Sequence, residues 1–110
     1  MVIGERTLKL SDVGRSIDVV VRIYAPEIQE QVWSCQYEIL WPDGRRTGIS
    51  RGFDSMQTVL TAMQMIGSEL YTSAHHERGA LAWTESGRGY GFPVPQSIRD
   101  LLIGDDARFL

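Results

Sequence analysis

The stretch of residues 54–73 constrains the fold most, because no other part of the chain shows the periodicity of a long amphipathic helix. Apolar side chains recur along it every three or four positions, as a helix that covers a core requires. Asp54 and Gln57 have the spacing of a capping box, and Phe53 precedes them in the position of a hydrophobic staple. The sequence therefore predicts a long helix whose core-facing residues are Met56, Val59, Leu60, Met63, Ile66 and Leu70.

The opposite face of this helix carries almost no charge, although a solvated helix usually has Lys and Glu there. A face of this composition fits contact with another protein surface. We therefore predict an interface formed by Thr58, Thr61, Met65, Ser68 and Thr72.

Gly67 interrupts the helix pattern on the flank of the apolar stripe. A glycine at such a position costs about 1 kcal/mol relative to alanine. We expect a bulky group to pack against it, with Trp33 and Trp41 of the preceding strands as candidates.

Four strands are predicted before the helix, in residues 4–10, 17–24, 31–41 and 45–50, because apolar and polar residues alternate there. Pro26 ends the second strand, and the turn Pro42-Asp43-Gly44 joins the last two as a hairpin. Alternation indicates strands with one buried face, which is typical of antiparallel sheets.

After the helix the sequence predicts a short strand at Leu81-Ala82-Trp83 and a Gly- and Pro-rich loop between Gly87 and Pro95. Residues 96–103 fit a short C-terminal helix that Gly104 ends. We expect residues 1–110 to form one α+β domain, with a four- to five-stranded, mostly antiparallel sheet. One long helix packs on one face of that sheet, and a short helix follows at the C-terminus.

The composition is that of an ordinary soluble protein, with 43% hydrophobic and 23% charged residues. A formal net charge of −3 gives no field that would attract nucleic acid or an anionic membrane. The N-terminus does not resemble a signal peptide, and no apolar run reaches the roughly 20 residues that a bilayer needs. With Cys35 as the single cysteine, we expect a cytoplasmic protein without nucleic-acid or membrane partners.

The residues that could carry chemistry are few. His75 and His76 are adjacent, and neighbouring helix positions point about 100° apart, which suits a helix C-terminus better than chelation of one metal. Cys35 shares a strand face with Trp33 and Tyr37, as expected of a small buried residue and not of a nucleophile. We predict no metal, no cofactor and no catalytic residue.

Two further motifs have structural explanations. Gly87, Gly89 and Gly91 are spaced as in some phosphate-binding loops, but prolines follow them where such a loop would open a helix. The basic group of Arg45, Arg46 and Arg51 lies in or near the fourth strand, where arginine protects a sheet edge against aggregation. Neither motif therefore predicts an anion or nucleic-acid site.

Several short motifs, spread over about residues 5–93, resemble an uncharacterised bacterial domain family of unknown function. The resemblance implies a single domain and a bacterial origin, and it supplies no activity. The motifs are Glu5-Arg6-Thr7-Leu8, Cys35-Gln36-Tyr37, Gly52-Phe53-Asp54-Ser55-Met56-Gln57, Ile66-Gly67, Gly79-Ala80-Leu81-Ala82-Trp83 and Gly91-Phe92-Pro93.

The leading functional prediction is a small non-enzymatic protein-interaction module that forms a homodimer or binds another protein. The contact surface would be the outer helix face or the open face of the sheet. On that open face Val20, Tyr24 and Leu40 leave some apolar character.

The alternative is a small ligand-binding domain or enzyme. Its site would lie between the sheet and the loop from Gly87 to Pro95, with Arg46, Arg88 and Tyr90 as polar anchors.

Overall fold

A computed structural model describes all residues 1–110 and shows a six-stranded antiparallel sheet with one long helix packed on it. This arrangement confirms the predicted α+β class. The strands are β1 (Val2–Asp12), β2 (Arg15–Tyr24), β3 (Glu27–Gln29), β4 (Val32–Trp41), β5 (Gly44–Gly52) and β6 (Leu81–Ala82). The helices are α1 (Ser55–Tyr71), α2 (Ala74–Glu77), a 3₁₀-helix (Gln96–Leu101) and α3 (Gly104–Phe109).

Strand β4 is central to the sheet. It pairs along one edge with β5, and along the other edge with β2 and then with the short β3. Strand β1 pairs with β2, and its far end pairs with β6 at Lys9 and Leu10. The prediction of four or five strands missed β3, because Pro26 interrupts the ladder while the chain resumes pairing directly after it.

The turn between β1 and β2 is strained. Val13 and Gly14 both have positive φ angles, 45° and 74°, between the paired residues Asp12 and Arg15. Two such residues are typical of a type I′ hairpin turn, which favours Asn-Gly and penalises a β-branched side chain.

We expect Val13→Asn to raise the free energy of unfolding by about 1 kcal/mol, because asparagine tolerates the left-handed conformation and valine does not. Urea unfolding followed by circular dichroism measures this change. Ser11→Asn, at an exposed position in extended backbone, serves as the control with little expected effect. A Val13→Asn variant no more stable than the wild type would contradict the strain argument.

Helix α1 begins as predicted. The Asp54 carboxylate accepts a hydrogen bond from the Gln57 backbone N–H at 2.8 Å, and the Gln57 side chain accepts one from the Phe53 N–H at 2.7 Å. The predicted staple is wrong, because Phe53 is 93% exposed and Met56 in the first turn is 81% exposed. The first turns of α1 therefore offer Phe53 no apolar partner.

The rotation of α1 about its axis differs from the prediction. Its fully buried positions include Thr58, Ala62, Ile66 and Leu70, whereas Leu60 is 52% exposed. The helix packs on β4 and β5, so its sheet-facing side is set by those strands. Thr58 is tolerated inside because its hydroxyl donates to the Asp54 carbonyl at 2.6 Å.

The C-terminal prediction needs correction at Gly104. This residue opens α3 with a φ of +56° and does not end a helix over residues 96–103. A side chain at Gly104 would collide with the backbone of Arg88, whose carbonyl accepts a hydrogen bond from the Asp105 N–H at 2.9 Å. Glycine is needed there for close approach of two segments.

The hydrophobic core lies between one face of the sheet, α1 and the 87–95 segment, which contributes Tyr90, Phe92 and Val94. None of the helices combines the length and apolar composition that a membrane crossing demands.

Candidate functional site

One flank of α1 is covered along half of its length only. Met56, Leu60, Gly67 and Tyr71 follow one another at spacings of four, seven and four residues, which places them along one line of the helix. In the second half, Gly67 lies under the Pro93 carbonyl, and the Tyr71 ring lies 5.0 Å from the ring of Tyr90. In the first half, Met56 and Leu60 remain exposed.

Together with Phe53, which precedes the helix, these two residues make up a group of exposed apolar side chains at the N-terminal end of α1, named the apolar ridge. Phe53, Met56 and Leu60 are 93%, 81% and 52% exposed, respectively. Large apolar side chains scattered singly on a surface are normal, but a group of them within two turns of one helix end is typical of a contact surface. The sequence pattern had assigned Met56 and Leu60 to the core.

A groove adjoins this ridge on the sheet side. It has a volume of about 170 Å³ and runs between β1, β2 and α1. Met63, three residues after Leu60, belongs to its wall. The groove is lined by Gly4, Glu5, Arg6, Val21, Ile23, Met63, Ile66 and Phe92.

The 87–95 segment, which closes one end of the groove, is fixed from two sides. The buried Asp106 carboxylate accepts hydrogen bonds from the N–H groups of Tyr90 and Gly91, both at 2.8 Å, and from the Tyr71 hydroxyl at 2.6 Å. Arg6 donates from Nη1 to the carbonyls of Tyr90 and Gly91, at 3.2 and 3.0 Å. The segment is thus a fixed part of the fold.

The aromatic groups around Asp106 are held in their neutral forms. Burial, followed by the nearby Asp106 charge, raises the pKa of Tyr90 to about 12. Burial and the hydrogen bond to Asp106 raise the pKa of Tyr71. The ring of His76, whose Nδ1 meets the Tyr90 hydroxyl, has a pKa lowered by burial. At neutral pH this cluster supplies hydrogen bonds and no reactive anion.

The three predicted ligand anchors do not lie together in one site. Arg46 pairs with Glu69 at 2.5 Å, Arg88 pairs with Asp105 at 3.0 Å, and Tyr90 is buried beside His76. Five surface pockets have linings that include none of the three predicted anchors. Their role as anchors remains a prediction without a shared site.

The five residues of the predicted interface on α1 do not form one exposed face. Thr58 is fully buried, so its assignment to an outer face is wrong, and Met65 packs partly against the core. Thr61 and Ser68 are half-buried, whereas Thr72 is exposed. A contact role for the exposed part of this face stays a prediction.

Cys35 and the histidines take structural positions. Cys35 is buried, its S–H donates to the Tyr24 carbonyl at 3.2 Å, and burial raises the pKa of its thiol. The ring of His75 lies 5.0 Å from the ring of Trp41. No group of three or more His, Cys, Asp or Glu side chains is placed to hold a metal ion.

The open face of the sheet has a buried charge that the sequence analysis missed. Glu38 is only 4% exposed and accepts hydrogen bonds from Tyr24 at 2.6 Å and Arg22 at 3.2 Å, with Arg45 at 3.5 Å. The Tyr24 hydrogen bond, ahead of the arginines, lowers the pKa of Glu38. Arg22 and Glu38 are direct cross-strand partners, a signal that only the register of β2 and β4 reveals.

These features define a small α+β domain with an uncovered apolar ridge and groove on its helical side. The chain belongs to the family described as Domain of unknown function (DUF6968), whose model matches residues 4–94. This match confirms the resemblance over about residues 5–93. Residues 95–110, including Asp106, lie outside the matched range. No curated protein and no solved structure matches the chain.

Proposed function

We propose that this protein is a small, non-enzymatic protein-interaction module that forms a homodimer through the apolar ridge of Phe53, Met56 and Leu60. The exposure of these three side chains at the N-terminal end of α1 is the observation that supports the proposal. The contact surface differs from the polar face that the sequence predicted, because the helix is rotated relative to that prediction.

Burial of the ridge would favour association. Complete burial of one exposed large apolar side chain contributes about 1.5–3 kcal/mol, and a two-fold interface contains every ridge residue twice. Leu60, which is already half-buried, would contribute less than Phe53 or Met56.

The proposal includes a cytoplasmic location and a bacterial origin. The free thiol of Cys35 supports the first, because a reducing compartment suits a single unpaired cysteine. The second follows from the sequence resemblance described above.

Light scattering after size-exclusion chromatography tests the proposal, with the wild type expected at twice the mass of one chain. The double variant Met56→Glu/Leu60→Glu places four new carboxylates in each interface. We expect it to raise the dimer Kd at least a hundredfold, because each 1.4 kcal/mol lost is about tenfold. Its circular dichroism spectrum should remain unchanged, since both side chains are exposed.

Val13→Glu is the matched control, since it makes the same change at a residue that is 94% exposed in the β1–β2 turn. Thr61→Arg tests the polar face separately. A monomeric wild type at high micromolar concentration, or dissociation by Val13→Glu as strong as by the double variant, would remove the proposal.

A further inference from the structure

The side chain of Arg6 is a half-buried cation without a carboxylate partner. No Asp or Glu oxygen lies within 4.0 Å of it, in contrast to Arg22, Arg45, Arg46 and Arg88. Its guanidinium carbon lies 4.0 Å from the centre of the Trp83 ring and 4.7 Å from that of Phe92. These two rings hold the guanidinium group in place.

Only one nitrogen of Arg6 is used within the chain. Nη1 donates to the carbonyls of Tyr90 and Gly91, whereas the N–H groups on Nη2 and Nε have no acceptor in the protein. The nitrogen atoms of these unpaired groups are accessible to solvent. Arg6 lines the groove, so it offers an adjacent pair of N–H donors of the kind that bind a carboxylate in a bidentate manner.

Burial also makes the charge of Arg6 costly. It lowers the pKa of the guanidinium group, and the more distant Asp106 offsets this only in part. An anion bound in the groove would stabilise the positive charge of Arg6 and so offset the cost of its burial.

Apart from Glu5, whose carboxylate pairs with Arg22 at 2.7 Å, the remainder of the groove wall carries no charge. Val21, Ile23, Met63, Ile66 and Phe92 line this open groove of about 170 Å³ with apolar side chains. A second cation, which a dicarboxylate or a phosphate would need, is absent from the lining.

We propose that this groove binds a small aliphatic monocarboxylate, with the carboxylate on Arg6 and the hydrocarbon tail between α1 and strands β1 and β2. The groove adjoins the dimer ridge but shares no residue with it, so ligand titration and light scattering test the two proposals separately.

Titration of ¹⁵N-labelled wild-type protein with hexanoate tests the site by NMR. We expect a saturable shift of the Arg6 Nε–H signal together with the backbone amides of Gly4 and Ile23. Hexan-1-ol, which has the same tail without the charge, should bind at least tenfold more weakly. Acetate, which has the charge without the tail, should also bind at least tenfold more weakly.

Two variants complete the test. Arg6→Lys keeps the positive charge but loses the bidentate geometry, and Met63→Trp fills the groove while leaving Arg6 in place. Each is expected to weaken hexanoate binding at least tenfold. The absence of a saturable shift in the wild type, or equal binding of hexanoate and hexan-1-ol, would overturn the proposal without recourse to any variant.

Discussion

An Asp106→Ala variant is expected to lose about 3–5 kcal/mol of unfolding free energy, because its carboxylate is the sole side-chain acceptor for two buried donors and one partly buried donor. The donors are the hydroxyl of Tyr71 and the N–H groups of Tyr90 and Gly91. Without the carboxylate they lose their partner in an interior where an unpaired donor costs about 1–3 kcal/mol. Urea unfolding measures the loss, which is large against a typical total of about 5–15 kcal/mol.

The neighbouring Asp105 gives a matched control. It is more exposed and pairs with the exposed Arg88, so Asp105→Ala should cost about 1 kcal/mol or less. The loss of unfolding free energy for Asp106→Asn should lie between those of the two alanine variants. The amide oxygen remains as an acceptor, while the amide nitrogen faces a donor. Equal losses at Asp105 and Asp106 would contradict the view that Asp106 joins α3 to the rest of the fold.

The buried position of Asp106 could not be predicted from the sequence. Nothing in the short run Gly104-Asp105-Asp106 distinguishes a buried acceptor from a surface acid. Its partners lie 15 to 35 positions away in the chain, and they meet it because the 87–95 segment returns over α1. The local periodicity of the sequence cannot predict a contact between such distant residues.

Helix α1 was predicted correctly, but the side of it that faces the sheet was not. The pattern of residues 54–73 correctly predicts α1 and its capping box, since both depend on neighbouring residues. The side of α1 that faces the sheet is fixed by β4 and β5. Thr58 could therefore be buried and Met56 exposed against the apparent stripe. The candidate site was missed for this reason, because the pattern assigns Met56 and Leu60 of its ridge to the core.

The strands were easier to predict, because alternation depends on the pleat of each strand alone. All four predicted strands before α1 are present. The charge cluster around Glu38 was missed because it needs the register between β2 and β4, which a single strand does not contain.

A Gly67→Ala variant is expected to lower the free energy of unfolding by about 2–3 kcal/mol, although helix propensity alone would favour alanine by about 1 kcal/mol. A Cβ atom at Gly67 would lie 1.9 Å from the Pro93 carbonyl oxygen and 3.0 Å from the Pro93 carbonyl carbon. Neither atom belongs to a flexible side chain, so the 87–95 segment must move away from α1. The expected close approach at Gly67 is thus present, but the 87–95 backbone provides it instead of Trp33 or Trp41.

Two measurements separate this steric effect from a change in helix stability. Ser68→Ala also raises helix propensity at the next position, by a smaller amount, and it should change stability by no more than about 0.5 kcal/mol. Hydrogen exchange should show faster exchange of the Tyr90 and Gly91 amides in Gly67→Ala, because moving the segment lengthens their hydrogen bonds to Asp106. The amides of β4 should keep their protection. If Gly67→Ala were as stable as the wild type, helix propensity would outweigh the contact, and the 87–95 segment would be free to move off α1.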